Sequence, residues 1–166
     1  FFEGGIRVPY VARWPARIPA GQRVAEPVTG MDIFATAAAA ASAALPTDRV
    51  IDGIDWMPAV GGDGRTLAQR TLHWRDGPYR ALRQGSDKLI AAHRPARDWL
   101  FDLRSDPTER DDRAGREGVT LQRLKAEMTR HHQGLPAPLW QSFLEVPVFI
   151  DKTLDQPHGP DDTHTY

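Results

Sequence analysis

The sequence holds no cysteine, so within the chain disulfides, thiolate metal sites and a cysteine nucleophile are excluded. The residues left for chemistry are histidine, arginine and carboxylates. His73-Trp74-Arg75 sets an imidazole and a guanidinium two residues apart. On a strand both project from one face, and the planar fork of the guanidinium suits an anionic group. A solvated sheet face accounts for the same pair more plainly, because both residue types are often exposed. His131-His132 sits at the end of a helical stretch, where adjacent residues point about 100° apart, a poor arrangement for sharing a metal ion. Cationic histidine near a helix C-terminus also has a simple electrostatic reason to be there. The run Glu109-Arg110-Asp111-Asp112-Arg113 lacks the alternating ligands and turn glycine of a calcium loop, and reads as a solvated, internally compensated loop. His158 and His164 lie with Asp161 and Asp162 in a polar tail, where a metal site costs ordering entropy. No nucleophile–base series or phosphate-cradling glycine loop stands out. These residues by themselves assign no catalytic residue and no metal ligand.

The elements that must carry these residues follow from apolar patterning and turn chemistry. Glu3-Gly4-Gly5 signals a turn. Val8 to Trp14 is mostly apolar, with β-branched and aromatic members, and predicts a short buried strand over 10–14. Thr29 and Asp32 form a variant capping box, and the alanine-rich run to Leu45 predicts a helix that Pro46 stops. Gly61-Gly62-Asp63-Gly64 marks a subdomain boundary. Beyond it, Thr71–Arg75, Tyr79–Arg83, Lys88–Ala92 and Trp99–Leu103 predict an antiparallel meander, with turn signals every eight to ten residues. Leu121, Leu124 and Met128 make one apolar stripe on a second helix, which Gly134 and Pro136 end. That helix is expected to cover one face of the meander. The apolar patch Val146 to Ile150 precedes a polar tail.

Several segments together resemble the sulfatases of the alkaline-phosphatase-like superfamily. Glu3-Gly4-Gly5-Ile6-Arg7-Val8-Pro9 resembles that family's E-G-G-x-R-x-P segment. Trp14 to Gly21 resembles the W-P-G-x-I-x-x-G stretch that follows it. Thr29-Gly30-Met31-Asp32-Ile33 with Thr36 is similar to S-x-x-D-[IL]-x-P-T, with Ala35 in place of the usual proline. Asp52-Gly53-Ile54-Asp55 resembles the D-G-x-[DS] loop. Arg80 to Gly85 with Lys88-Leu89-Ile90 resembles R-A-[VI]-R-x-G-x-W-K-L-[IV], with Ser86-Asp87 where the tryptophan is expected. Leu100-Phe101-Asp102-Leu103 with Asp106-Pro107-Thr108-Glu109 resembles L-[YF]-D-L-x-x-D-P-x-E. The resemblance covers residues 1 to 115.

It implies an α/β fragment plus a small α+β subdomain, a four-stranded antiparallel sheet with a packed C-terminal helix. Residues 1–62 are expected to be the C-terminal end of the large α/β domain, 65–150 the small subdomain, and 151–166 the polar tail. It also implies a sulfuric ester hydrolase that uses a formylglycine nucleophile and calcium, with all catalytic residues and calcium ligands preceding residue 1. The partners implied are an N-terminal sulfatase domain and a sulfated small molecule or sugar. Glu3, Gly4, Gly5 and Arg7 are expected to support the active-site floor, and His73 and Arg75 to lie beside the substrate. Two alternatives stay open: a binding or assembly module descended from a sulfatase, and a phosphonate or phosphodiester hydrolase of the same superfamily. The net charge of −1 gives no argument for nucleic acid. No apolar run approaches the ~20 residues needed to span a bilayer. Periplasmic, secreted and cytoplasmic locations all remain open.

Overall fold

The computed structural model describes residues 1–60, 67, 70–77, 79–93 and 96–136. The glycine cluster 61–64, part of the turn 94–97, the apolar patch 146–150, and the tail 151–166 with His158 and His164 lie outside the described residues. The chain divides into two units, Tyr10–Ala68 and a second made of Phe1–Pro9 with the chain from Gln69 onward. Residues 1–9 therefore group with the sheet rather than with residues 10–62.

The second unit is built on the meander. Strands β1 (Thr71–Asp76), β2 (Tyr79–Gln84), β3 (Asp87–His93) and β4 (Ala96–Asp102) form one antiparallel sheet in the order β1-β2-β3-β4. Gln84 pairs with Asp87, so a two-residue loop joins β2 and β3. Gly85 takes φ +62° there, the first-position requirement of a type II′ hairpin turn. The register sets two faces. On one, Leu82, Leu89, Ala91 and Leu100 pack with Leu124 and Met128 of helix α4 (Gly118–Gln133), as the stripe predicts. On the other, Ala81, Ile90, Ala92, Trp99 and Phe101 pack with Phe1 and Phe2. Phe2 lies edge-on to Trp99 at 6.2 Å and beside Phe101 at 5.9 Å. The inner strand β3 is thus covered on both faces. Strand β4 begins at Ala96 rather than Trp99, because His93 pairs directly with Ala96.

The other unit departs further from expectation. Residues 10–14 are not a strand; Val11 is 90% exposed. An apolar run becomes a strand only when a neighbour takes its N–H and C=O groups, and the described residues offer none. Helix α2 spans Asp32–Ala40 and stops before Leu45. Ser42 takes φ +54°, Ala43 N donates to Ala38 O at 2.9 Å, and Ser42 N donates to Ala39 O at 3.1 Å. That is a Schellman cap with serine where glycine is usual. The expected turn at Glu3-Gly4-Gly5 is a single helical turn, α1 (Glu3–Ile6), closed by Arg7 N donating to Glu3 O at 2.9 Å. A last short helix, α3, spans Met57–Val60.

Candidate functional site

Lys88 lies on β3 facing the Phe1–Phe2 side and is 0% exposed. Burying an ammonium is costly unless it is paired. Its Nζ donates to Glu3 Oε1 at 2.8 Å and lies 2.8 Å from Glu109 Oε1. The second contact is ionic only, since Glu109 Oε1 has no hydrogen bond among the described residues. Glu3 N–H donates to the Glu109 carboxylate, and Arg83 approaches Glu3 Oε2 at 3.7 Å. Two buried carboxylates are thereby matched by Lys88 and Arg83.

Each member is delivered by its own local device. The turn α1 presents Glu3. Strand alternation puts Arg83 and Lys88, cross-strand partners, on one face. The loop after β4 delivers Glu109. Asp102 accepts from Arg104 N at 3.0 Å and Ser105 Oγ at 2.9 Å, and these bonds, the Arg104 one foremost, hold its carboxyl below the usual range. Asp106 accepts from Asp111 N at 2.8 Å. Glu109 itself takes φ +55°, a left-handed conformation costly for a residue with a Cβ. The expectation of a solvated, self-compensated loop over 109–113 is corrected at Glu109, which is buried beside the Lys88 ammonium that it shares with Glu3. Asp111, paired with Arg116, fits it.

A comparable lock holds the other unit. Asp32, 0% exposed, accepts from Thr29 N at 2.7 Å and from Ile54 N at 3.0 Å. Thr36 Oγ1 accepts from Trp56 N at 3.2 Å. Gly53 lies against the helix start so closely that a Cβ there would sit 2.6 Å from the carbonyl carbon of Met31. The helix start and the Asp52–Asp55 loop are thus one object. Tyr10 lies edge-on to Trp56 at 5.8 Å.

The expected site residues fall on opposite faces of the sheet. Glu3 is buried in the ion cluster. Gly4 and Gly5 are exposed, and a Cβ on either would meet nothing within 4 Å. Arg7 is exposed. His73 and Arg75 lie on the α4 face, in register with Leu82 and Arg80. The His73 ring stacks on His131 at 3.7 Å and 7°. His132 Nδ1 bonds Met128 O at 2.7 Å. His73 Nδ1 and His132 Nε2 are buried and lack a hydrogen-bond partner among the described residues. Burial, then the neighbouring His131, lowers the His73 pKa to about 4. Burial also lowers that of His132. Among the described residues no three histidines or carboxylates gather in a way that could hold a metal ion.

Lys88 and Glu109 were not foreseen as site residues. Their signal was present in the motifs, but their pairing spans sequence distances that spacing does not encode.

No family model matches the chain. Among curated proteins, human steryl-sulfatase is 53% identical over 72 residues, 43% of this chain and 12% of that protein. Dog N-acetylgalactosamine-6-sulfatase is 41% identical over 87 residues, 52% of this chain and 16% of that protein. Among solved structures, Ps i-CgsB matches with TM-score 0.64 at 23% identity, over 77% of this chain and 29% of that one. BT4656, solved with its substrate D-glucosamine-2-N,6-O-disulfate, matches with TM-score 0.59 at 21% identity, over 73% of this chain and 27% of that one. At those identities the structures establish the fold alone. The chain spans about an eighth to a third of the length of the proteins it matches.

Proposed function

We propose, from the premise that this chain matches the C-terminal portion of the sulfatases in sequence and in fold, that it braces the active site of a sulfuric ester hydrolase and is inactive alone. The observation that carries this reading is the ion cluster. Glu3, Lys88 and Glu109 each come from a different segment of the family resemblance, and they meet in one buried point. Such a cluster fixes the segment 1–7 to a rigid sheet. Rigid support of this kind is what holds reacting groups in productive geometry.

In this reading the nucleophile is a formylglycine and the metal is calcium, both supplied by other parts of the enzyme. The ion would polarise the sulfuryl oxygens. Nothing among the described residues of this chain offers a ligand set for it. This chain's own part is positional. Glu3 anchors the turn, and Gly4 and Gly5 leave bare, exposed backbone that a neighbouring surface can approach closely. Arg7 presents an exposed guanidinium beyond it. His73 and Arg75 reach a substrate only where an anionic part of it extends to the α4 face.

The test is hydrolysis by the product of the whole open reading frame that encodes these residues. The reading expects aryl sulfate cleavage, none by residues 1–166 alone, and a lowered kcat for Gly5→Ala with an unchanged melting temperature. Cleavage of a phosphodiester or phosphonate without any sulfate ester would move the enzyme to the sister chemistry. Activity indifferent to Gly5→Ala and to Glu3→Gln would remove the bracing role.

A further inference from the structure

The α4 face carries a group of basic side chains that neither the fold nor the bracing role uses. Arg75 and Arg80 are directly opposed across β1 and β2. Directly opposed like charges destabilise a strand pair. Among the described residues, neither guanidinium has an ion-pair partner. His73 stands on the same face of β1, and the last turn of α4 brings His131 and His132 to it. Both arginines act electrostatically on the His132 ring, and Glu127 acts on His73. Glu127 is already engaged by Arg130 at 2.5 Å. The groups that face one another are therefore His73 and Arg75 from β1, Arg80 from β2, and Glu127, His131 and His132 from α4. Five of these six are basic.

Two buried ring nitrogens, His73 Nδ1 and His132 Nε2, stand in this group without a hydrogen-bond partner among the described residues. A buried polar nitrogen without a hydrogen bond is costly, and so is the opposed arginine pair. One tetrahedral oxyanion held among these side chains would relieve both. Its oxygens can accept from two guanidinium forks, where charge-assisted bonds are strongest, and from protonated imidazoles.

We propose that Arg75, Arg80, His73 and His132 form a binding site for a tetrahedral oxyanion of the sulfate type, lying on the sheet face under the C-terminal turn of α4. It is separated from the Glu3 cluster by the sheet itself and does not depend on the enzymatic reading. Because the anion favours cationic imidazoles and burial lowers the His73 pKa to about 4, it binds more tightly as the pH falls toward 4. The same coupling makes bound anion raise the histidine pKa values.

Histidine side-chain NMR of the 166-residue chain tests this, with sodium sulfate added against sodium chloride at matched ionic strength. The expected result is a saturable shift of the His73 and His132 signals in sulfate, absent in chloride. Arg75→Gln and Arg80→Gln should each weaken binding about ten-fold, the order of one charge-assisted hydrogen bond. Arg75 is exposed, so its variant should keep the wild-type circular dichroism. Methyl sulfate distinguishes two sources of the ligand. Saturation by both anions assigns the site to a sulfate ester, and saturation by sulfate alone assigns it to the free dianion. Shifts that chloride reproduces, or affinity unchanged in both arginine variants, would overturn the site.

Discussion

Replacing Lys88 by methionine keeps the length of the side chain and removes its charge. The ammonium is fully buried and lies 2.8 Å from a carboxylate oxygen of both Glu3 and Glu109. Without it, two buried carboxylates face each other, and among the described residues Arg83, 3.7 Å from Glu3, is the side-chain cation left within ion-pair distance. An exposed ion pair contributes about 0–1 kcal/mol. Breaking a buried one by removing a single partner costs about 3–5 kcal/mol, because a charge is stranded. The upper part of that range applies here, since two charges are stranded and one cation remains. This is a large share of the roughly 5–15 kcal/mol that holds an ordinary domain together. Urea unfolding followed by near-UV circular dichroism, with hydrogen exchange of the β3 amides, measures it. The companion is the triple variant Glu3→Gln, Lys88→Met and Glu109→Gln, which removes every charge of the cluster except Arg83. It should recover most of the loss, since neutralised clusters are often as stable as the ionic original. A Lys88→Met variant within about 1 kcal/mol of wild type, or a triple variant worse than the single, would show that the Lys88 charge is not what offsets the two buried carboxylates.

Three further outcomes follow from the same structure. Gly53→Ala puts a Cβ into the backbone of Met31, so it should destabilise the Tyr10–Ala68 unit by about 2–4 kcal/mol, read by exchange of the α2 amides. Ser42→Gly relieves a left-handed residue at the helix cap and should stabilise the same unit by about 0.5–1 kcal/mol in a thermal melt. His73 is held neutral in the fold, its pKa lowered from 6.5 to about 4, so the unfolded chain binds more protons between those values. Its contribution is therefore present above pH 6.5 and is lost as pH falls toward 4. Discounted for the solvent that reaches the ring, the loss is about 1–2 kcal/mol; a His73→Gln variant should lack that part of the acid sensitivity in urea melts across pH 4–7.

Much of the meander was legible because its signals are local. Turn residues and alternation fix four hairpin-linked strands, and the stripe Leu121, Leu124, Met128 fixes the helix face that covers them. What was missed depends on partners distant in the chain. Val8 to Trp14 has strand composition, but strand structure needs a neighbouring edge, and composition does not supply one. The alanine helix was read through to Leu45 because its cap is built on Ser42, which carries none of the usual glycine signal. Glu109 sits in a run whose charges nearly balance locally, so nothing in that window signals that Lys88 takes this carboxylate inward. His131 and His132 extend the Met128 stripe by three and four residues, which places both toward the sheet. Judging them only against each other hid that.

If these residues brace the active site of a sulfatase, the reading frame upstream of the Phe1 codon carries the rest of it, and sequencing that frame is the sharpest test. The expected result is a continuous frame that encodes [CS]-x-P-x-R, the motif whose Cys or Ser sulfatases convert to formylglycine, an Asp pair before it, and a lysine a few residues ahead of Phe1. A stop codon there, or a start codon immediately before Phe1, would contradict it and leave a chain whose ion cluster serves its own fold alone.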